Sequence, residues 1–348
     1  MNKPKFVISK SKTVEQFEKV KELADIVSYS SKTNQTATVI LEDATTAMFS
    51  VHFANELKHV KDKSRVIFIA QAWSKEEIKE FIDQGISHFI VDNESDLDTL
   101  LSFLKESDAK VSLLLRVKLR ERTIKTERYF VFGMNSETVN KRIREIRADK
   151  SLEPKIKELG IHFHRKTQNM SEWDLQYAVS NILENDTLRM IDLVDIGGGI
   201  PIDYANTNKK ILPGIFKKIK EFREWLNERN IRLIIEPGRF ISGPPTKLIT
   251  TIIGIHENNI IVNASVYNTN LDALVVPVKL LVEGELSKDE GKPYVLKGAT
   301  PCSMDLFRYR VYLNEPKVGD KIVFLNAGAY NFHSDFCDLE LIETEIVD

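Results

Sequence analysis

Residues 193–239 read LVDIGGGIPIDYANTNKKILPGIFKKIKEFREWLNERNIRLIIEPGR, and this stretch decides the fold. Two short apolar runs, Leu193–Ile196 and Leu233–Glu236, bracket a segment in which Ile215, Ile219, Phe222 and Leu226 recur at helical spacing. Strand, amphipathic helix, strand is one βα repeat of a parallel sheet. The same alternation continues toward the N-terminus through Gly160–His164, Val111–Val117, His88–Val91, Val66–Ala70, Met48–Val51 and Ile26–Tyr29, making eight candidate strands. An open doubly wound sheet usually stops at about five to seven strands, whereas a closed barrel needs eight. The predicted fold class is therefore α/β, a (β/α)8 TIM-like barrel. Helix starts are expected at Thr13 with Gln16, Ser74 with Glu77 and Ser95 with Asp98, which have capping-box spacing, and a helix stop at Gly85.

After Gly243-Pro244-Pro245 the texture changes. Lys247–Ile255 and Ile260–Tyr267 flank the turn His256-Glu257-Asn258-Asn259, and Lys321–Leu325 follows Val318-Gly319-Asp320, so a C-terminal all-β domain is expected. The division places the barrel at residues 10–243 and the β domain at 244–348, with Lys5–Ser9 as an extra strand for the latter. With 42% hydrophobic and 29% charged residues in 348, the composition is that of a globular chain with large cores. Forty-nine basic against 51 acidic residues leave a charge of −2, which argues against nucleic acid as a partner. No apolar run is long and charge-free enough to span a bilayer and no secretory leader is evident, so a cytoplasmic location is expected. Two cysteines, Cys302 and Cys337, are too few for a disulfide framework and wrongly spaced for structural zinc.

Reactive groups of such a barrel lie just beyond the carboxyl ends of its strands. There the chain offers Lys32, Arg116, His162 and His164, Gly197-Gly198-Gly199, and Glu236-Pro237-Gly238-Arg239. A lysine desolvated at a barrel mouth becomes a nucleophilic amine suited to a Schiff base. Bare glycines let successive backbone N–H groups approach an anion, and Arg239 can add a bidentate cation. A carboxylate such as Glu236, set opposite a pyridine nitrogen, keeps that nitrogen protonated and strengthens the ring as an electron sink. Lysine, phosphate cradle, stacking imidazole and acid together point to one cofactor, pyridoxal 5′-phosphate. Each part also has a plain structural reading: a solvated lysine, a tight glycine turn, a Glu236–Arg239 ion pair. His162 and His164, on one side of a strand, could also chelate a metal, but few further ligands accompany them and no metal is expected.

These residues resemble the ornithine, diaminopimelate and arginine decarboxylase family, which joins an alanine-racemase-like barrel to a β domain. Ser28-Tyr29-Ser30-Ser31-Lys32-Thr33-Asn34 is similar to the cofactor-lysine segment, and Phe163-His164 to the segment whose histidine stacks on the ring, with Thr167 in a phosphate-contacting place. Asp195-Ile196-Gly197-Gly198-Gly199-Ile200-Pro201 resembles the phosphate loop. Glu236-Pro237-Gly238-Arg239 resembles the segment whose Glu meets the ring nitrogen and whose Arg meets the phosphate. Ala327-Gly328-Ala329-Tyr330 resembles a phosphate-binding tyrosine segment, and Arg116 falls where the family keeps a barrel arginine. The resemblance implies decarboxylation of an amino acid: the substrate α-amine displaces Lys32, carbon dioxide leaves, and Cα is reprotonated. It also implies a homodimer in which a cysteine of one subunit serves the site of the other, so that Lys32, His164 and Cys302 are the expected catalytic residues.

Two departures from the family pattern bear on the substrate. The family reads Gly-x-x-Cys-x-x-x-Asp, whereas Gly298-Ala299-Thr300-Pro301-Cys302-Ser303-Met304-Asp305 brings its cysteine one residue later. Beyond Tyr267, where diamine-forming members carry an aspartate, Leu274-Val275-Val276-Pro277 is apolar, with Asp272 slightly earlier. Tyr267, Asp272 and Asp305 are the expected substrate contacts. If Lys118, Arg120 and Arg122 face the mouth, they favour a substrate with an additional carboxylate, while a solvated loop is the plainer reading. The expected substrate is a polar amino acid, a diamino acid or carboxy-polyamine for example. Racemisation on the same scaffold and a non-catalytic regulatory relative are the alternatives.

Overall fold

The computed structural model describes residues 3–119, 131–207, 209–331 and 333–348. Arg120 and Arg122 of the basic run lie outside the described residues. Eight parallel strands, Ile26–Ser30, Met48–Val51, Val66–Ala70, His88–Val91, Val111–Arg116, Ile156–His162, Leu193–Asp195 and Arg232–Ile235, close into a barrel. Closure is made by the register Ile26↔Ile234 and Val27↔Ile235 between the first and last of them. The helix Leu212–Asn227 buries the stripe Ile215, Ile219, Phe222 and Leu226, the face its spacing predicts.

Side chains alternate along each strand, so one parity faces the barrel axis. Ile67, Ile69, Ile90, Leu114, Leu193 and Ile234 form a separate buried cluster there, flanked by Ile26 and Met48. This apolar plug fills the lower barrel, and the next residues of the same parity form a polar layer above it.

The cap at Ser74 forms the full box with Glu77, and Gly85, at φ +98°, follows the end of that helix. Two expected caps are corrected. Ser9, not Thr13, caps the helix Lys10–Lys21 by accepting from Lys12 N–H, while the Thr13 hydroxyl is buried and donates to the Ser9 carbonyl at 2.7 Å. Asn93, not Ser95, caps Glu94–Glu106, because its side chain takes the Asp96 N–H at 2.9 Å. The Asp96 carboxylate in turn accepts from Ala72 N–H, at 2.9 Å, and fastens the turn carrying Gln71 at the barrel mouth.

An eight-stranded, mostly antiparallel sheet packs beside the barrel. Its strand Thr246–His256 pairs with Lys5–Ser9, with Asn259–Val262 and with Lys321–Leu325. The run expected to stay extended through Tyr267 ends instead at Val262. Ser265 and Asn268 form a capping box, so Tyr267 sits in the helical turn Val266–Thr269. An apolar-run criterion passes over Lys292–Lys297 and Leu306–Leu313, where charged residues interrupt the buried ones.

Candidate active site

A cavity of about 280 Å³ opens at the carboxyl end of the barrel, and its lining includes Lys32, Arg116, His162, His164, Thr167, Gly198, Gly199, Glu236, Gly238, Arg239 and Tyr330. The structure thus brings the predicted lysine, histidines, carboxylate and arginine, with Gly198, Gly199 and Gly238, to one cavity. Lys32 lies in the short turn Ser31–Thr33 that follows the first barrel strand. Although its side chain is open to the cavity, the surrounding walls desolvate the amine and lower its pKa from the usual 10.5, against the pull of Glu236 and Glu56. Its Nζ makes no hydrogen bond among the described residues, so the amine is available to a ligand.

Glu236 is buried, with 6% of its surface exposed. Ser50 Oγ donates to its Oε1 at 2.5 Å, and His162 Nε2 stands 3.2 Å from its Oε2. Burial alone would raise this carboxyl; the hydrogen bonds from His162 and Ser50 outweigh it and hold the group at about 2. Behind it lies Asp195, also buried, whose Oδ1 accepts the Gly197 N–H at 2.8 Å and whose Oδ2 has no partner among the described residues. Burial first and the Glu236 charge second push the Asp195 carboxyl well above the ordinary range. Of the two acids, Glu236 is the one whose surroundings favour the charge. Ligand atoms of His162, Asp195 and Glu236 lie within 4.8 Å of one another, a spacing that a cation could also use, though the His162–Glu236 contact already forms a hydrogen-bonded pair.

The ion pair weighed between Glu236 and Arg239 is corrected: Arg239 pairs with Asp272 at 2.5 Å and donates to Tyr204 Oη at 2.7 Å from the same Nη1. Its Nη2 reaches Thr167 Oγ1 at 3.2 Å, and its Nε is buried without a partner among the described residues. The guanidinium lies 5.2 Å from the ring of Tyr330. Glycines are required around this cup. At Gly199, with φ +98°, a Cβ would collide with the Lys166 carbonyl, and at Gly238 it would collide with Thr33 Oγ1. An unpartnered Arg239 Nε beside a backbone cradle fits a phosphate group, and an unpartnered lysine amine fits a carbonyl compound.

The remaining predicted residues stand elsewhere. Gly197 supports the cup from behind, packed against His164. Asp272, expected to touch substrate, is instead the buried partner of Arg239. Asp305 is corrected in the same way: its carboxylate accepts from Val266 N–H, Thr300 N–H and Thr300 Oγ–H at 2.7–3.0 Å and is consumed in holding its own loop. Cys302 and Tyr267 lie outside this cavity of their own chain and contact each other, Oη to Sγ 3.0 Å. That hydrogen bond is the leading cause that lowers the Cys302 thiol and raises the Tyr267 hydroxyl to about 12.

The cavity also holds His52, Gln71, Asp92 and Phe132, none of which the sequence reading singled out. Asp92 Oδ1 accepts from Arg116 Nη1 at 2.9 Å, and the Arg116 guanidinium lies 4.9 Å from the Phe132 ring. His52 and His162 are both held neutral, chiefly by burial, His52 with a pKa of about 3. In the unfolded chain both take up protons near 6.5, so as the pH falls from there toward the His52 value of about 3 the unfolded state binds more protons and stability falls. Each contributes at most about 1.4 kcal/mol per pH unit. Denaturant midpoints measured across that window are expected to decline, and to decline less steeply in His52→Gln; an unchanged slope refutes the assignment.

The profile described as pyridoxal-dependent decarboxylase, pyridoxal binding domain, matches residues 10–243. Diaminopimelate decarboxylase of Aquifex aeolicus is 24% identical over 288 residues, which are 77% of this chain and 66% of that enzyme, just under two thirds of its length. The 2-[(L-alanin-3-ylcarbamoyl)methyl]-2-hydroxybutanedioate decarboxylase of Staphylococcus aureus is 23% identical over 79% of this chain and 75% of its own. Among solved structures, lysine/ornithine decarboxylase of Vibrio vulnificus with putrescine superposes with a TM-score of 0.80 at 20% identity, covering 99% of this chain and 94% of that one. Diaminopimelate decarboxylase of Helicobacter pylori with L-lysine gives 0.81 at 19% identity over 100% and 92%, so the fold is shared across the whole chain. With the family profile spanning the entire barrel that carries the lysine, the glycine cup and the buried glutamate, the chain belongs to the pyridoxal-dependent decarboxylases, whose cofactor is pyridoxal 5′-phosphate.

Proposed function

We propose that this protein decarboxylates a polar amino acid whose far end carries a carboxylate or another group other than a free ammonium. One observation carries the substrate reading: among the described residues lining the cavity, both carboxylates are already engaged. Glu236 holds His162 and Ser50, and Asp92 holds Arg116. A buried ammonium without a free carboxylate is costly, by several kcal/mol. Arg116, bound to Asp92 through Nη1 and with 21% of its side chain exposed, is placed to accept a carboxylate instead. Carboxylate-bearing substrates are also what the names of the similar Aquifex and Staphylococcus enzymes describe.

Pyridoxal 5′-phosphate, when bound, supplies a carbonyl carbon for the amine and a protonated ring that takes up the electron pair left by carbon dioxide. In this reading Lys32 Nζ is the amine that would hold the cofactor's carbonyl group. His164, which lines the cavity, would help to hold the ring. Glu236 keeps the ring nitrogen protonated. Gly198, Gly199, Gly238, Thr167, Arg239 and Tyr330 hold the phosphate, with Gly197 shaping the loop.

Cys302 lies outside its own chain's cavity, and Met304 beside it is 57% exposed, so we infer a homodimer in which one protomer presents this loop to the cavity of its partner. Cys302→Ala is then expected to lower kcat by about 10²–10⁴-fold, the range for a positioned proton donor. Mixing it with Lys32→Ala should restore activity that neither variant has alone, and failure to complement excludes the shared site. Carbon dioxide release from meso-diaminopimelate, ornithine, lysine and a carboxylate-bearing diamino acid tests the reaction. Racemisation is the second reading, with Tyr267 or Cys302, which contact each other, as the proton carrier opposed to Lys32; inversion without carbon dioxide would select it.

A further inference from the structure

Asp272 lies in the helical turn Asp272–Val275, outside the barrel, yet its carboxylate is 2.5 Å from Arg239 Nη1. The two side chains are 6% and 4% exposed, so water screens neither charge. Tyr204 Oη takes a hydrogen bond from the same Nη1 at 2.7 Å. One edge of the guanidinium is thus saturated, while among the described residues Nε is unpartnered and Nη2 meets only Thr167, at 3.2 Å. A phosphate in the cup has the Nε and Nη2 edge available and shares the Arg239 charge with a carboxylate already in place. The other groups assigned to the cup, the glycine backbone, Thr167 and Tyr330, are neutral. The cup therefore has a formal charge of zero with Asp272 and +1 without it.

We propose that Asp272 is a resident counter-charge for Arg239: a positioning residue that stabilises the buried guanidinium before the cofactor arrives and weakens the hold on its phosphate afterwards, so that the cofactor stays exchangeable. This rests on the reading of Arg239 as a phosphate contact. A carboxylate that merely oriented Arg239 would strengthen phosphate binding, so the two roles differ in sign.

Asp272→Asn keeps the shape and one acceptor oxygen for Arg239 while removing the charge. Affinities of the full-length protein are measured by absorbance titration with pyridoxal 5′-phosphate and with pyridoxal, which lacks the phosphate. The expected result is an affinity for the phosphorylated form roughly 10- to 100-fold tighter than wild type, the scale of one like charge removed from a partly buried site, with pyridoxal unchanged. The cofactor-free variant should melt at a lower temperature than wild type, because it buries an unpaired guanidinium, and recover when loaded. A ratio of the two affinities that is unchanged or reduced overturns the proposal. Where the cofactor-free variant is too unstable to titrate, release of the phosphorylated cofactor from the loaded variant after dilution serves: slower than wild type supports the proposal, equal or faster overturns it. Arg239→Gln is the companion variant. It should bring the phosphorylated form toward the affinity of pyridoxal, and if it does not, the phosphate assignment itself fails, separately from the role of Asp272.

Discussion

Lys32→Ala is expected to lower decarboxylation by about 10²–10⁴-fold, the scale for a positioned group that exchanges protons at the reacting centre, and to abolish any borohydride-trapped pyridoxyl peptide. The expectation starts from geometry. Lys32 follows a barrel strand, faces the cavity and has no hydrogen-bond partner among the described residues, while burial by its neighbours favours the neutral, nucleophilic amine. The structural cost of the change should be small, because the side chain is open to the cavity and supports no neighbour. A melting temperature near that of wild type, with the spectral band and trapped peptide lost, is the result that assigns the role. A trapped pyridoxyl group on any other lysine of the protein refutes it.

Most of this site was legible before the fold because a barrel strand has only two faces. Within the strands and just past their ends, the residues Ser28, Ser30 and Lys32; Ser50 and His52; Ile69 and Gln71; Ile90 and Asp92; Leu114 and Arg116; His162 and His164; and Ile234 and Glu236 each advance by two. In every series the last residue lines the cavity. Reading only the chemically conspicuous ends found Lys32, Arg116, His164 and Glu236. Carrying the same parity one step past Val51, Ala70 and Val91 would also have found His52, Gln71 and Asp92. What parity cannot supply is the partner from a distant element. The ion pair between Asp272 and Arg239 spans 33 residues and joins the barrel to a turn outside it, and nothing local to either residue encodes it. Asp305 misleads for the opposite reason: it occupies a motif position, but its carboxylate is satisfied by donors only five residues away at Thr300 and by Val266. An acid that can close its own loop is not available to a substrate.

Glu236→Gln should lower kcat by about 10²–10³-fold, the scale for losing one preorganised electrostatic contact in a water-poor site, with a smaller change in KM. The effect depends on which of two neighbouring acids carries the charge. Glu236 accepts from both Ser50 and His162, whereas Asp195 has only the Gly197 N–H and a bare Oδ2. Two carboxylates this close in a dry barrel do not both ionise, so the better-served one takes the charge and the other keeps a proton. Glutamine keeps the size of the side chain and an oxygen that can accept from Ser50, so the fold should survive; what it removes is the negative charge that the proposed function assigns to the ring nitrogen. Asp195→Asn is the matched control. If Asp195 is already neutral, an amide there changes little, and activity should stay within about 10-fold of wild type, whereas an ionised Asp195 makes it the more damaging of the two. Parallel kcat–pH profiles for the two variants would therefore decide the assignment: Glu236→Gln depressed at every pH and Asp195→Asn close to wild type is the expected pair, and the reverse order places the working charge on Asp195.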